Sequence, residues 1–194
     1  MNAMNLLSPS ATKMIRADHT AVMATFHKYE VNSSVATKRA LVDTVCLALE
    51  IHAQLEEELF YPEMSALDAR AVGKSVPEHD DMRRLIGAVR AMDASEAAFD
   101  ETFMNLMRDV LHHVAHEETV LLPEAERLLS SERLSEIGAQ MTRRRLELAA
   151  PRAGEIATNA VRSYTGAAMA GAGVLVVGAL LAARAMSNSR GTRT

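Results

Sequence analysis

Two eleven-residue segments of this chain follow one template, HAQLEEELFYP from His52 to Pro62 and HVAHEETVLLP from His113 to Pro123. Each sets a His and a Glu four residues apart, one above the other on a single helix face. The duplication reaches upstream: Asp18-His19 precedes the first template by 33 residues, His to His, and Glu78-His79 precedes the second by 34. Behind those histidines, Val22, Phe26 and Tyr29 match Met82, Ile86 and Val89 at an offset of 60. A first helix pair repeated as a second predicts two related halves meeting in one core.

The polar residues lie within the apolar seams. The second helix reads Val42, Val45, Leu49, His52, Glu56, Leu59, and the fourth reads Phe103, Leu106, Val110, His113, Glu117, Val120, both at alternating spacings of three and four. The first gives Ile15, His19, Val22, Phe26, and the third gives His79, Met82, Ile86, Val89. Six polar residues therefore point inward: His19, His52, Glu56, His79, His113 and Glu117. Glutamates in an apolar core are costly unless paired or metal-bound. A single inward His is more often a hydrogen-bonded core residue, but six convergent groups from four helices favour a metal centre. His112 and His116 fall on a stripe with Asn105, Asp109 and Thr119, where solvent or an outer role at the site is expected; His27 is also off the seam. Glu57, Glu58 and Glu118 are expected on the wet face, and Tyr29 is a candidate to support the site from behind its ligands.

Helices are predicted at about 10–31, 35–61, 74–93 and 97–122. Asn32-Ser33-Ser34 and Ser75 before Pro77 supply turn or capping signals, and Pro62 and Pro123 each end or kink a helix. The chain is rich in Ala, Leu, Met, Glu and Arg and has no Trp, which favours helix over sheet. The fold class is all-α: an up-and-down four-helix bundle over residues 10–150, with an amphipathic extra helix from Ser131 to Ala149 packed outside. Residues 1–9 read as an extension and 151–165 as a linker.

Imidazole plus carboxylate suits Fe, Mn or Zn, and the single cysteine, Cys46, argues against a closed structural zinc site. If two ions share the set, each takes two His while Glu56 and Glu117 bridge them. With a solvent-derived oxygen bridge each ion is then five-coordinate, leaving a position for dioxygen, peroxide or nitric oxide.

Through Asp18-His19, His52-x-x-x-Glu56-Glu57, Glu78-His79 and His113-x-x-x-Glu117-Glu118 with Pro123, residues 10–150 resemble the hemerythrin-like, HHE cation-binding family. The resemblance implies a bundle with a non-haem di-iron centre, two iron ions rather than Mn or Zn, held by His19, His52, Glu56, His79, His113 and Glu117. Where oxygen-carrying members have a second histidine on the third helix, this chain has Arg83. It also departs from their Asp-closed motif on the last helix. Peroxide breakdown, oxygen or nitric oxide handling, or iron handling is thus expected rather than reversible oxygen carriage. The alternative is a non-catalytic iron-binding or gas-sensing module coupled to a membrane partner.

The net charge of -4 is uneven, since eight Arg face only Glu147 and Glu155 from Arg143 onward. An acidic body without aromatic-interleaved basic residues excludes a nucleic-acid footprint. The start, MNAMNLLSPS, lacks the pattern of a signal peptide. Residues 166–183, GAAMAGAGVLVVGALLAA, are apolar or small throughout and would span ~27 Å as a helix, near the thickness of a bilayer core. They are expected as a transmembrane helix anchoring a cytoplasmic bundle, with 184–194 as a polar basic tail. A homo-oligomer and an unidentified redox partner are compatible with this reading.

Overall fold

The computed structural model describes residues 9–163, and all regular elements among these residues are helical. The order is α1 (Ala11–Phe26), α2 (Val35–Leu55), α3 (Tyr61–Leu67), α4 (Ala69–Val72), α5 (Ser75–Ala91), α6 (Ala97–His116), α7 (Leu122–Leu128), α8 (Ser131–Ala149) and α9 (Ala153–Ser163). Two π-helical turns, Glu56–Phe60 and Glu117–Leu121, join α2 to α3 and α6 to α7. Short serine-capped connections set the helix starts: the hydroxyls of Ser10, Ser34 and Ser130 accept from the backbone N–H of Lys13, Thr37 and Arg133. Ser75 is the first residue of α5 and not its cap. The end of α1 lies beside the start of α6, where Tyr29 and Lys38 meet Asp100, so these helices run antiparallel.

The expectation that Pro62 and Pro123 end or kink their helices is refined. In each case the chain widens into a π turn just before the proline and then resumes as α-helix. A wider turn relieves the contact of the proline ring with the preceding turn's carbonyl, and the first turn of a new helix does not need the missing N–H. This adds a residue to the turn and rotates everything after it. The seam residues expected at Leu59 and Val120 are displaced: Val120 is 47% exposed, whereas Phe60 and Leu121 are fully buried.

The apolar interior forms two masses. One gathers Val42, Val45, Leu49, Met82, Ile86, Phe99, Phe103, Leu106 and Val110. The other gathers Ile15, Leu55, Phe60, Met64, Leu121, Leu122, Ile137 and Met141. Each buried side chain of this size stabilises by about 1.5–3 kcal/mol. The inward His and Glu residues lie between them in sequence, as His52 follows Leu49 and Glu56 precedes Phe60 on one helix.

Helix α8 is held across the bundle by Arg133 to Glu63 at 2.6 Å and Arg144 to Glu58 at 2.7 Å. It approaches the start of α1 so closely that a Cβ on Gly138 would stand 2.1 Å from the Pro9 carbonyl oxygen and 2.9 Å from the Ala11 nitrogen. Both obstacles are backbone, so Gly138→Ala should force the helices apart and cost about 1–3 kcal/mol. Thermal unfolding of the variant checks this; an unchanged midpoint would show that the crossing is loose.

The segment expected as a linker carries α9, whose Ile156 packs with Leu47 and Ala149. Arg152 just before it reaches Glu50 at 2.9 Å. The expected membrane-anchored localisation is corrected: among the described residues no helix is long and apolar enough to cross a membrane. Residues 166–183 and the tail 184–194 lie outside the described residues, as do residues 1–8 of the extension.

Candidate metal centre

All six inward residues predicted from the seams meet in one place. His19 comes from α1, His52 from α2, His79 from α5 and His113 from α6, while Glu56 and Glu117 open the two π turns. The exposed fraction is 5% at most for His19 and zero for Glu56, His79 and Glu117. The Nε2 atoms turn inward. His19 Nε2 is 3.2 Å from a Glu117 oxygen, His52 Nε2 is 3.3 Å from Glu56, and the Nε2 atoms of His79 and His113 are 3.1 Å apart. His79 Nε2 also lies 3.4 Å from Glu56, and His113 Nε2 lies 3.5 Å from Glu117.

Each imidazole is held from behind by a carboxylate of another helical segment. The Nδ1 atoms of His52, His79, His113 and His19 face Asp18 at 3.4 Å, Glu57 at 2.8 Å, Glu78 at 2.9 Å and Glu118 at 2.9 Å. Every one of these carboxylates is the chain neighbour of an inward residue. The contacts close a ring, α1 to α2, the turn after α2 to α5, α5 to α6, and the turn after α6 back to α1. A carboxylate at Nδ1 fixes the tautomer with its proton there and leaves Nε2 as the inward donor. Arginines brace three of the four: Arg145 of α8 on Asp18, Arg83 on Glu57 at 2.6 Å, and Arg16 on Glu118 at 3.1 Å. The expectation that Glu57 and Glu118 belong to the wet face is therefore corrected, because both are half-buried partners of inward histidines. Glu58, in contrast, is an exposed partner of Arg144.

Tyr61 was not anticipated. Its hydroxyl lies 2.8 Å from Glu117 Oε1, 3.1 Å from Glu56 Oε2 and 3.3 Å from His79 Nε2. On an unbroken α-helix, five residues would set it roughly 140° around from Glu56; the π turn brings it back to the inner face. Tyr29, the expected supporting residue, instead donates to Asp100 beside Lys38, away from the centre. His27 is exposed at the end of α1, His112 is exposed and His116 half-buried; none joins the cluster.

The electrostatics are those of a site built for positive charge. Burial and the neighbouring Glu117 charge push Glu56 well above the usual carboxylate range. Burial would raise Glu117 as well, but His19, His113 and His52 hold it low, so the pair shares a proton unequally. Burial would depress His19, yet Glu117 and then Glu118 outweigh it and push its pKa up to about 9. Burial keeps His79 and His113 below the ordinary histidine value, in the neutral form that donates to a metal. Asp18, which burial would raise, is held at about 2 by His52 and Arg145. The Tyr61 phenol is driven up, first by burial and then by the Glu56 and Glu117 charges.

His19 Nε2, His52 Nε2, Glu56 Oε1 and Glu117 Oε2 are buried and make no aligned hydrogen bond, although His19 Nε2 and Glu117 Oε2 face each other at 3.2 Å as an ion pair and His52 Nε2 lies 3.3 Å from Glu56. Buried polar atoms of this kind are rare and call for an ion or another ligand. Donor atoms of His19, His52, Glu56 and Glu117 all lie within 4.8 Å of one another, and so do those of Glu56, His79 and His113. The residues thus fit metal ions in two adjoining groups that share Glu56.

Fold and site together define a helical bundle with a buried His/Glu cation centre. Residues 10–125 match the model of the hemerythrin HHE cation binding domain, and the chain belongs to that family. It is similar in structure to a hemerythrin HHE cation binding domain-containing protein from Mycobacterium kansasii, with a TM-score of 0.65 and 22% identity over 80% of this chain and 99% of that one. At that identity the likeness is one of fold. A DNA nickase of Nostoc sp. is 27% identical over 120 residues, covering 61% of this chain and 34% of the relative. The chain thus spans about a third of that protein's length.

Proposed function

We propose that this protein is a non-haem di-iron protein whose centre reacts with dioxygen or hydrogen peroxide, in peroxide breakdown or in oxygen or nitric oxide handling. His19, His52, Glu56, His79, His113 and Glu117 are the ligands in this reading. The observation that carries it is the pair of donor groups sharing Glu56, with four inward atoms left without an aligned hydrogen bond. Two neutral His per ion with carboxylates between them is a donor set of intermediate softness, suited to iron more than to Mg or Ca. Bound iron would supply redox equivalents and Lewis acidity. The chain's own contribution is to hold the imidazoles through their Nδ1 carboxylates, to keep bulk water away by burial, and to limit access to small ligands. We assign residues 10–150 to this unit, α8 included, because Arg145 reaches the Asp18 that orients His52.

Metal quantitation with an absorption spectrum, before and after peroxide, tests the reading. Two irons per chain and a spectral response to peroxide or dioxygen are expected, with oxygen evolution if peroxide is disproportionated. An iron-replete protein that responds to neither oxidant would overturn the redox reading and leave iron binding or gas sensing as the function.

A further inference from the structure

Tyr61 occupies a position that its counterpart in the duplicated half does not share. The templates align His52 with His113, Glu56 with Glu117 and Pro62 with Pro123, which pairs Tyr61 with Leu122. Leu122 is fully buried in the apolar mass of Phe60, Met64 and Leu121, while the Tyr61 hydroxyl sits among the inward donors. Duplication explains the six shared positions but not this asymmetry.

The distances suit coordination. Two donors at neighbouring positions of one octahedral ion, with bonds of about 2.1 Å, stand about 3 Å apart. The His79 and His113 nitrogens meet that spacing at 3.1 Å. The Tyr61 oxygen meets it three times, at 2.8 Å from Glu117, 3.1 Å from Glu56 and 3.3 Å from His79. The donor groups are also unequal, four side chains around His19 and His52 but three around His79 and His113. Tyr61 lies on the poorer side.

We propose that Tyr61 is a seventh protein ligand of the centre, its phenolate oxygen binding the ion held by His79 and His113. The phenol proton is displaced by the metal and passes to solvent. Phenolate oxygen is a known ligand of ferric iron, and a bound cation reverses the field that keeps the phenol protonated without metal. A third anionic oxygen beside Glu56 and Glu117 would favour the ferric over the ferrous state. It would also make the two ions chemically distinct, with exogenous ligands directed to the His19 and His52 side.

The inference rests on the metal-site reading above, and its test separates the two. The full chain, Tyr61→Phe and Tyr29→Phe are each titrated with ferric iron and separately with zinc, with bound metal quantified. The Phe ring preserves the packing of Tyr61 against Phe60 and His79. The expected result is a visible phenolate-to-iron charge-transfer band with resonance Raman ring modes in the iron-loaded protein and in Tyr29→Phe, both lost in Tyr61→Phe. With zinc, an ultraviolet difference spectrum of tyrosine ionisation should appear on binding and be absent in Tyr61→Phe. If zinc binds and iron does not, the di-iron reading fails while the zinc difference spectrum still decides the role of Tyr61. Loaded protein without phenolate signals, or signals that survive in Tyr61→Phe, would overturn the ligand assignment. Protein that takes up neither metal would overturn both.

Discussion

His113→Ala is expected to lose at least one of two bound metal ions while the helical content is kept, whereas His112→Ala and His116→Ala retain both. His113 Nε2 lies 3.1 Å from His79 Nε2 and 3.5 Å from Glu117, inside a shell that is 2% exposed or less. No side chain replaces its donor. His112 and His116, one residue before and three after, are on faces that do not enter the cluster. Between these extremes lies Glu78→Gln, which keeps the imidazole but weakens the hold on its Nδ1. A loss of roughly 10–100-fold in metal affinity is expected there. Metal content after dialysis against a weak chelator measures all four variants. Equal loss at His112, His113 and His116 would show that the inner face of α6 is misassigned.

Removing the metal should reverse the way stability depends on pH. Without metal, His19 has a folded-state pKa of about 9 against an ordinary 6.5, because its contact with Glu117 outweighs burial. A raised pKa means that the stabilisation is fully present below pH 6.5 and is lost as pH rises through about 9. Glu56 acts in the same direction, since burial and Glu117 raise it and ionising it costs stability. At 1.36 kcal/mol per unit, the His19 contribution alone is on the order of 3 kcal/mol. Metal binding needs deprotonated ligands, so the stability it adds grows over the same range. Melting curves of chelator-treated and metal-loaded protein at pH 6, 7.5 and 9 should therefore diverge with rising pH. Parallel curves would mean that the buried carboxylates and His19 are not what the metal neutralises.

These two outcomes also bear on why so polar a layer persists in a small bundle. Replacing a buried charged cluster with apolar residues is often neutral or stabilising by 1–4 kcal/mol. Glu56 carries a cost of its own, because burial and the Glu117 charge make its ionisation unfavourable. At pH 9 a Glu56→Leu variant is thus expected to be at least as stable as the metal-free parent while losing metal, which assigns this carboxylate to function and not to fold. Urea unfolding of both proteins in chelator decides this, and a large destabilisation would point to a structural role.

The sequence alone determined the inward set and the helical class. His19, His52, Glu56, His79, His113 and Glu117 could be named because each falls on a three-and-four seam shared with apolar residues, and helix geometry then dictates a common face. The bounds of α8, Ser131 to Ala149, followed from its amphipathic pattern. Tertiary structure decided what periodicity cannot express. A π turn changes the angle per residue, so Leu59 and Val120 gave way to Phe60 and Leu121, and Tyr61 rotated into the centre. The partners of the four imidazoles came from different helical segments, which is why Glu57 and Glu118 read as wet-face residues until the bundle closed. Arg145 reaches Asp18 across 127 positions of chain. Spacing within one helix fixes which residues share a face, but the rotation after a widened turn and the pairing between helices are set only when the helices pack.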